Sequence, residues 1–382
     1  MSIRLYKNIL LFLFLWVNTS ACISADTTKT VESKTIGNGV IITEAKGWLE
    51  TVYAKWKPIA GADGYNVYVK GGQHADYSKV DAELIRLYNG YVRVDIPGLK
   101  AGTYSLKIVA VKVGKETESG EVTGLKVLNY LREGFAHKNY SGVGAYNDDG
   151  TLKSGAVVIY VNKDNAKTVS ARLGKATFTG LQAILNAYQK GNITTPLSVR
   201  ILGLLRNSDT DAFGSSTEGI QIKGKQADSE MNITIEGIGE DASIYGFGFL
   251  VRNAKSVEFR NLGIMRAMDD GVSLDTNNSN IWVHHMDLFY GKASGGDHIK
   301  GDGSIDVKTD SKFVTIDNCH FWDTGKTSMC GMNKETGPNY ITYHHNWFDH
   351  SDSRHARVRT ISVHLWNNYY DGCAKYGIGA TM

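Results

Sequence analysis

Proline, cysteine, net charge and long apolar runs are all in short supply in this chain, and each shortage narrows what it can be. There are 4 prolines in 382 residues, against 42 glycines. With abundant Val, Ile, Tyr and Asn, that balance describes strands joined by tight turns and not a disordered chain. The formal net charge is +3, so the total creates no strong polyanion-binding field and nucleic acid is not an expected partner. Four cysteines are present. Cys319, Cys330 and Cys373 follow no metal-ligand spacing with histidine, and buried core thiols are expected of them. The leading apolar run, Ile9 to Val17, is nine residues, too few to span a bilayer comfortably, and no other segment reads as transmembrane.

Residues 1–25 read as an export signal. Arg4 and Lys7 precede the apolar run, and the small residues Thr19, Ser20 and Ala21 precede Cys22. Two processing routes stay open: acylation of Cys22 as in a bacterial lipoprotein, with outer-membrane attachment, and ordinary cleavage near Ala21 or Ala25. Both place the protein outside the cytoplasm, secreted, on the cell surface or in the periplasm of a bacterium. Residues 26–45 are polar and Thr-rich, a linker. Residues 46–128 form a small all-β unit, with alternation in Val52–Trp56, Tyr65–Val69 and Tyr104–Val111 and turn signals at Gly61–Gly64 and Pro97-Gly98. The pattern Trp56, Pro58, Gly64-Tyr65-x-Val67-Tyr68, Ile96-Pro97-Gly98-Leu99 and Gly102-Thr103-Tyr104 resembles a fibronectin type III sandwich. That resemblance implies a spacer or docking platform.

Residues 129–382 make up the second domain. Leu181, Ile184, Leu185 and Tyr188 fall at i, i+3, i+4 and i+7, the stripe of an amphipathic helix; it is expected to cap the structure that follows. From 231 onward short alternating strands recur, beginning at Ile233, Val257, Ile281, Val314, Ile341 and Val363, at intervals of 24, 24, 33, 27 and 22 residues. Repeats of this length indicate a parallel β-helix, each coil stacked on the last. A polar residue recurs four positions after each anchor from the second onward: Asn261, His285, Asn318, His345 and Asn367. Such a row suits a hydrogen-bonded ladder at a coil corner, and makes His284-His285 and His344-His345 structural.

The repeat also aligns charges. Asp270 and Arg354 lie 13 residues after their anchors and Lys326 lies 12 after its own; Asp302 lies 21 after Ile281, in a coil nine residues longer than the one before. If the excess sits in the Gly-rich loop Gly291–Ile299, the four share one angular position, two acidic rungs beside two basic ones, spanning roughly 14 Å. Asp306 follows Asp302 by four, an even spacing that keeps both on one strand face. Asp270, Asp302 and Asp306, with Asp269 as a candidate fourth, would repel one another without a cation between them, and a flexible oxygen cluster suits Ca²⁺. Lys326, Arg354, Arg357 and Arg359 make a basic half suited to the carboxylates of a uronic-acid chain.

From about residue 145 onward the sequence resembles the family 1 pectate lyases. The matching pieces are Thr179-Gly-Leu-Gln, Ile244-Tyr-Gly-Phe-Gly, Asn280-Ile-Trp-Val-His-His, Asp302-Gly-x-x-Asp306, Lys326, Tyr343-His-His-Asn, Arg354-x-x-x-x-Arg359 and Val363-His-x-x-Asn-Asn-Tyr-Tyr. The resemblance implies an all-β protein, a right-handed parallel β-helix preceded by the fibronectin-like sandwich. It implies a monomeric, calcium-dependent enzyme that cleaves polygalacturonate or pectin by β-elimination. By position, Asp270, Asp302 and Asp306 match the calcium ligands, Lys326 a substrate-binding lysine, Arg354 the catalytic arginine and Arg359 a second substrate-holding arginine. Ala356 departs from the family, which often has Pro there. The family also continues for further coils beyond Gly377-Ile-Gly-Ala, so the domain is expected to be C-terminally truncated.

An arginine base must shed its proton, which the like charges of a cation, Lys326 and Arg359 would favour; strongly alkaline activity is expected. Two rival readings accompany this one. A galacturonan hydrolase on the same fold would need a carboxylate acid and base, for which Asp269-Asp270 is the available pair, but the Gly-His-Gly and Arg-Ile-Lys patterns of such hydrolases are absent. A non-catalytic pectin-binding protein would combine the sandwich with a binding groove alone.

Overall fold

The computed structural model describes residues 35–36, 39–213, 216–289, 300–332, 335–375 and 377–380. The expected export signal with Cys22, most of the linker and the loop Gly291–Ile299 lie outside the described residues.

The first part is a sandwich of two antiparallel sheets. One orders Thr35–Ile36, Lys115–Val127, Gly102–Lys112, Gly64–Gly71 and His74–Lys79; the other orders Ile42–Gly47, Thr51–Trp56, Tyr91–Pro97 and Ile85–Tyr88. Alternation sets the inner face: in Thr51–Trp56 every second residue is buried. Trp56, Tyr104, Leu106, Ile108 and Val122 fill the space between the sheets. The strands begin earlier than composition indicated. Ile42–Gly47 is an edge strand with largely exposed, polar residues, which is why it reads as linker.

The rest is a parallel β-helix with three strand faces per coil. The six anchors stack in one register row: Ile233 pairs with Val257, Val257 with Ile281, Ile281 with Val314, Val314 with Ile341 and Ile341 with Val363. Ile233, Val257, Ile281, Val314 and Ile341 are fully buried, so the first face drives an aliphatic ladder into the core. A second face runs through Gly263–Met265, Asp287–Phe289, His320–Trp322, Trp347–Asp349 and Tyr369–Asp371. A third runs through Gly219–Lys223, Gly248–Arg252, Val272–Thr276, Ile305–Val307, Lys326–Cys330, Ser353–Val358 and Gly379–Ala380.

The corner between the first two faces is the polar row read from the sequence. Asn261, His285, Asn318, His345 and Asn367 have φ of 49°, 51°, 50°, 52° and 50°. Asn and His tolerate this left-handed turn better than most residues. The side chains then bond locally: Asn261 donates to the Gly237 carbonyl at 2.7 Å, and the Nδ1 atoms of His344 and His345 lie 2.9 Å apart.

The stack is closed at its start by Leu181–Asn186, whose Leu181, Ile184 and Leu185 are buried and whose Gln182 exchanges two hydrogen bonds with the backbone of Gln221. The outside of the first face is covered by residues 130–146. Ala145 donates its backbone N–H to Thr234 and Ala136 to Thr315, and Asn280 donates to the Ala136 carbonyl. Gly144 needs to be glycine: its φ is +76° and a Cβ would lie 2.3 Å from Thr234 Oγ1.

Candidate active site

The corner leading from the second face into the third delivers Asp269, Asp270 and Asp302, and the third-face strands deliver Asp306, Lys326 and Arg354. Gly303 bridges to Lys326, and Lys326 pairs with Ser353. Asp302 therefore lies one residue before this rung and Arg354 one residue after it, so the row is staggered where a single file was expected. In regular strands a one-residue offset would turn the side chains to opposite faces. Asp302 escapes this because it sits in the turn ahead of its strand, and Arg354 because its φ is +66°.

The side chains converge. Arg354 Nη1 lies 3.7 Å from Asp302 Oδ1 and 4.0 Å from Asp306 Oδ2, and Lys326 Nζ lies 3.6 Å from Asp302 Oδ1. Asp269, Asp270 and Asp302 can each offer one oxygen with all three within 4.8 Å of one another. Thr217 Oγ1 donates to Asp269 at 3.0 Å and fixes it. Asp306 borders that trio, sharing Lys308 with Asp270. Its Oδ1 accepts the Met329 N–H at 2.8 Å, and its Oδ2 faces Lys308 Nζ at 3.6 Å.

Lys308 is the member that sequence reasoning missed. Its ammonium pairs with Asp270 and donates to Ser273 Oγ at 3.0 Å. The signal was available: Lys308 follows Asp306 by two, the spacing that shares a strand face. Burial raises the pKa of Asp270, opposed by Lys308. Burial and the charge of Asp270 push Asp306 above the usual carboxylate range, against Lys308 and Arg354. Burial lowers the pKa of Lys308, but the charges of Asp306 and Asp270 outweigh it and raise it above the ordinary lysine value.

The donor set fits a hard divalent cation. It is all oxygen, with no nitrogen or sulfur donor in the trio. Gly303 keeps the acidic gap open, since a Cβ there would lie 2.4 Å from Asp306 Oδ1 and 2.6 Å from Asp270 Oδ1. Arg359 lies one residue beyond the strand Ser353–Val358. It follows the third-face strand, its backbone N–H on the Cys330 carbonyl at 2.8 Å, and it pairs with no acidic group among the described residues. Between the two arginines His355 opposes Ser328 and Arg357 opposes Met329, so Ala356 is an extra residue turned fully into the core. The His355–Ala356 peptide is cis.

Fold and site together define a parallel β-helix protein with a carboxylate cluster beside the cations of Lys326 and Arg354. The family model described as pectate lyase matches residues 182–382, more than half of the chain, and the chain belongs to that family. It is 28 % identical over 210 residues to the pectate trisaccharide-lyase of Bacillus licheniformis, covering 54 % of this chain and 58 % of that protein. It is 32 % identical over 161 residues to pectate lyase A of Emericella nidulans, covering 40 % of this chain and 48 % of that one. The chain thus spans about half the length of these relatives. Among solved structures, pectate lyase Bsp165PelA from Bacillus sp. N165 in complex with trigalacturonate superposes with a TM-score of 0.47 at 21 % identity, covering 65 % of this chain and 72 % of that one.

Proposed function

We propose that this protein is a calcium-dependent pectate lyase that cleaves 1→4-linked α-D-galacturonan by β-elimination. The observation that carries the reading is the meeting of Lys326 and Arg354 on Asp302, beside the oxygen trio Asp269, Asp270 and Asp302. Asp270 and Asp302, with Asp269, hold the calcium, and Asp306 lines the site beside them. A bound calcium supplies a positive charge that draws the substrate carboxylate in and acidifies the neighbouring C5 proton. Lys326 binds the same carboxylate by charge-assisted hydrogen bonding. Arg354 takes the C5 proton as the base, the electron pair left behind forms the C4–C5 double bond, and the C4 oxygen departs and takes a proton from water, giving an unsaturated sugar end. Arg359 holds a neighbouring galacturonate of the chain.

The N-terminal sandwich is a fibronectin type III-like module acting as a spacer, and the protein works outside the cytoplasm, secreted or at the cell surface. The test is an elimination assay on polygalacturonate with and without EDTA. Absorbance of unsaturated product should rise in calcium, stop on chelation and stay near background for Arg354→Ala. Activity untouched by EDTA would remove calcium from the reading.

A further inference from the structure

The outward side of the second face differs from the rest of the stack. One of its rows carries His320, Trp347 and Tyr369 on successive coils, and the row beside it carries Phe289 and Trp322. Ring centroids of Phe289 and Trp322 lie 4.5 Å apart, His320 and Trp347 stack at 4.3 Å, and Trp347 and Tyr369 follow at 6.3 Å. Trp322 is 48 % exposed, Trp347 41 % and Tyr369 60 %. The rings make a strip four coils long, roughly 14 Å. At one end it opens into a groove of about 730 Å³, floored by Ser243 and Gly263 and walled by Glu240. Arg93 and Lys55 of the sandwich fix that wall, at 2.6 and 3.6 Å from Glu240.

Contiguous exposed apolar surface on this scale marks a binding surface. Its composition selects the occupant. The strip is built of flat rings interleaved with hydrogen-bonding side chains. Aromatic faces pack against the C–H faces of pyranose rings, and the carboxylates of Asp287 and Asp371 along the same rows can accept hydroxyl protons. The sign of the charge narrows the choice further. The two rows hold three carboxylates and no Lys or Arg, and both His320 and His350 are paired with Asp349. A polyuronate is repelled there, in contrast to the Lys326–Arg354 site.

We infer that this strip is a second carbohydrate-binding surface, separate from the Asp270 cluster, and that it takes a neutral 1,4-linked hexopyranose chain. Its role is to hold the protein on neutral polysaccharide while the third face stays open. The inference stands independently of the lyase reading.

The test is affinity electrophoresis of the full chain through gels cast with 1,4-β-galactan, with hydroxyethylcellulose or with polygalacturonate. The wild type should be retarded in at least one neutral gel. The double variant Trp322→Ala, Trp347→Ala should lose at least fivefold of that retardation while its melting temperature stays within a few degrees. Both side chains are about half exposed, so the fold survives their removal. No retardation in either neutral gel overturns the inference. So does equal retardation of the double variant, or retardation by polygalacturonate that depends on the two tryptophans. A concentration-dependent dimer in sedimentation that the double variant abolishes would assign the strip to a second copy of the chain and overturn it as well.

Discussion

The Lys308 ammonium pairs with the Asp270 carboxylate inside the acidic cluster, so a resident cation already occupies part of the ground a calcium ion would use. Lys308→Ala leaves Asp270 and Asp306 buried and uncompensated, at a cost of about 3–5 kcal/mol. The variant should melt well below the wild type in EDTA and recover most of the difference in calcium. Paired thermal scans check this; a deficit unchanged by calcium would show that Lys308 and the metal do not share the site.

Gly303 tests the geometry of the same gap. A Cβ there meets oxygens of both Asp306 and Asp270, so Gly303→Ala should weaken calcium binding at least tenfold while the chain stays folded. Calorimetric titration of the full chain reads the affinity, and unchanged binding would place the cation elsewhere.

A buried ionic network joins the sandwich to the coils. Arg260 lies 2.8 Å from Glu236 and 3.5 Å from both Glu258 and Glu50. Its guanidinium also covers the Tyr146 ring at 3.9 Å. Arg260→Ala removes the one cation shared by three buried carboxylates, leaving Glu236 with Arg200 and Glu50 with Arg132, and should cost about 3–5 kcal/mol, read as a lower denaturant midpoint. Arg260→Ala combined with Glu236→Gln should be less unstable than Arg260→Ala alone.

The buried histidines should cost the fold stability as pH falls. Burial lowers the pKa of His137, His285 and His344 to about 4, with cationic neighbours adding to the effect, and that of His284 well below its ordinary 6.5. The unfolded chain binds these protons near 6.5 and the folded chain does not, so stability falls as pH drops from 6.5 towards 4. Asp317 opposes this in part: burial raises it to about 7, and its contribution favours the folded state below that value. Asp306, also raised to about 7, and Asp270 and Glu50, raised by burial, oppose it in the same way. The histidine contribution is read by difference: the melting temperature of wild type relative to His137→Gln should fall between pH 7 and 4.5, and an unchanged difference would contradict the burial of that ring.

Much of the fold was legible because its periodicity is carried by the core. Ile233, Val257, Ile281, Val314, Ile341 and Val363 could be aligned from spacing alone, since each must face inward at the same point of its coil. The polar row at Asn261 to Asn367 was visible too, though the left-handed φ at each position is a cause the letters do not state. The site was less legible. Asp302, Lys326 and Arg354 were found by register, but the stagger among them depends on the backbone at Asp302 and Arg354, which spacing cannot supply. Lys308 was passed over because a lysine in a polar strand end reads as solvated; only the closed coil shows it between two carboxylates. Residues 130–146 carried no periodic signal, because they run across the coils and bond to them one residue at a time.

The central claim is elimination at the Lys326–Arg354 end of the acidic cluster, and the mass of the products tests it most directly. Polygalacturonate digested by the full chain in calcium should yield fragments whose new non-reducing ends lack one water relative to hydrolysis products. Arg354→Ala should produce almost none of them. Fragments carrying the full mass of water, or dehydrated ends formed equally well by Arg354→Ala, would contradict the account.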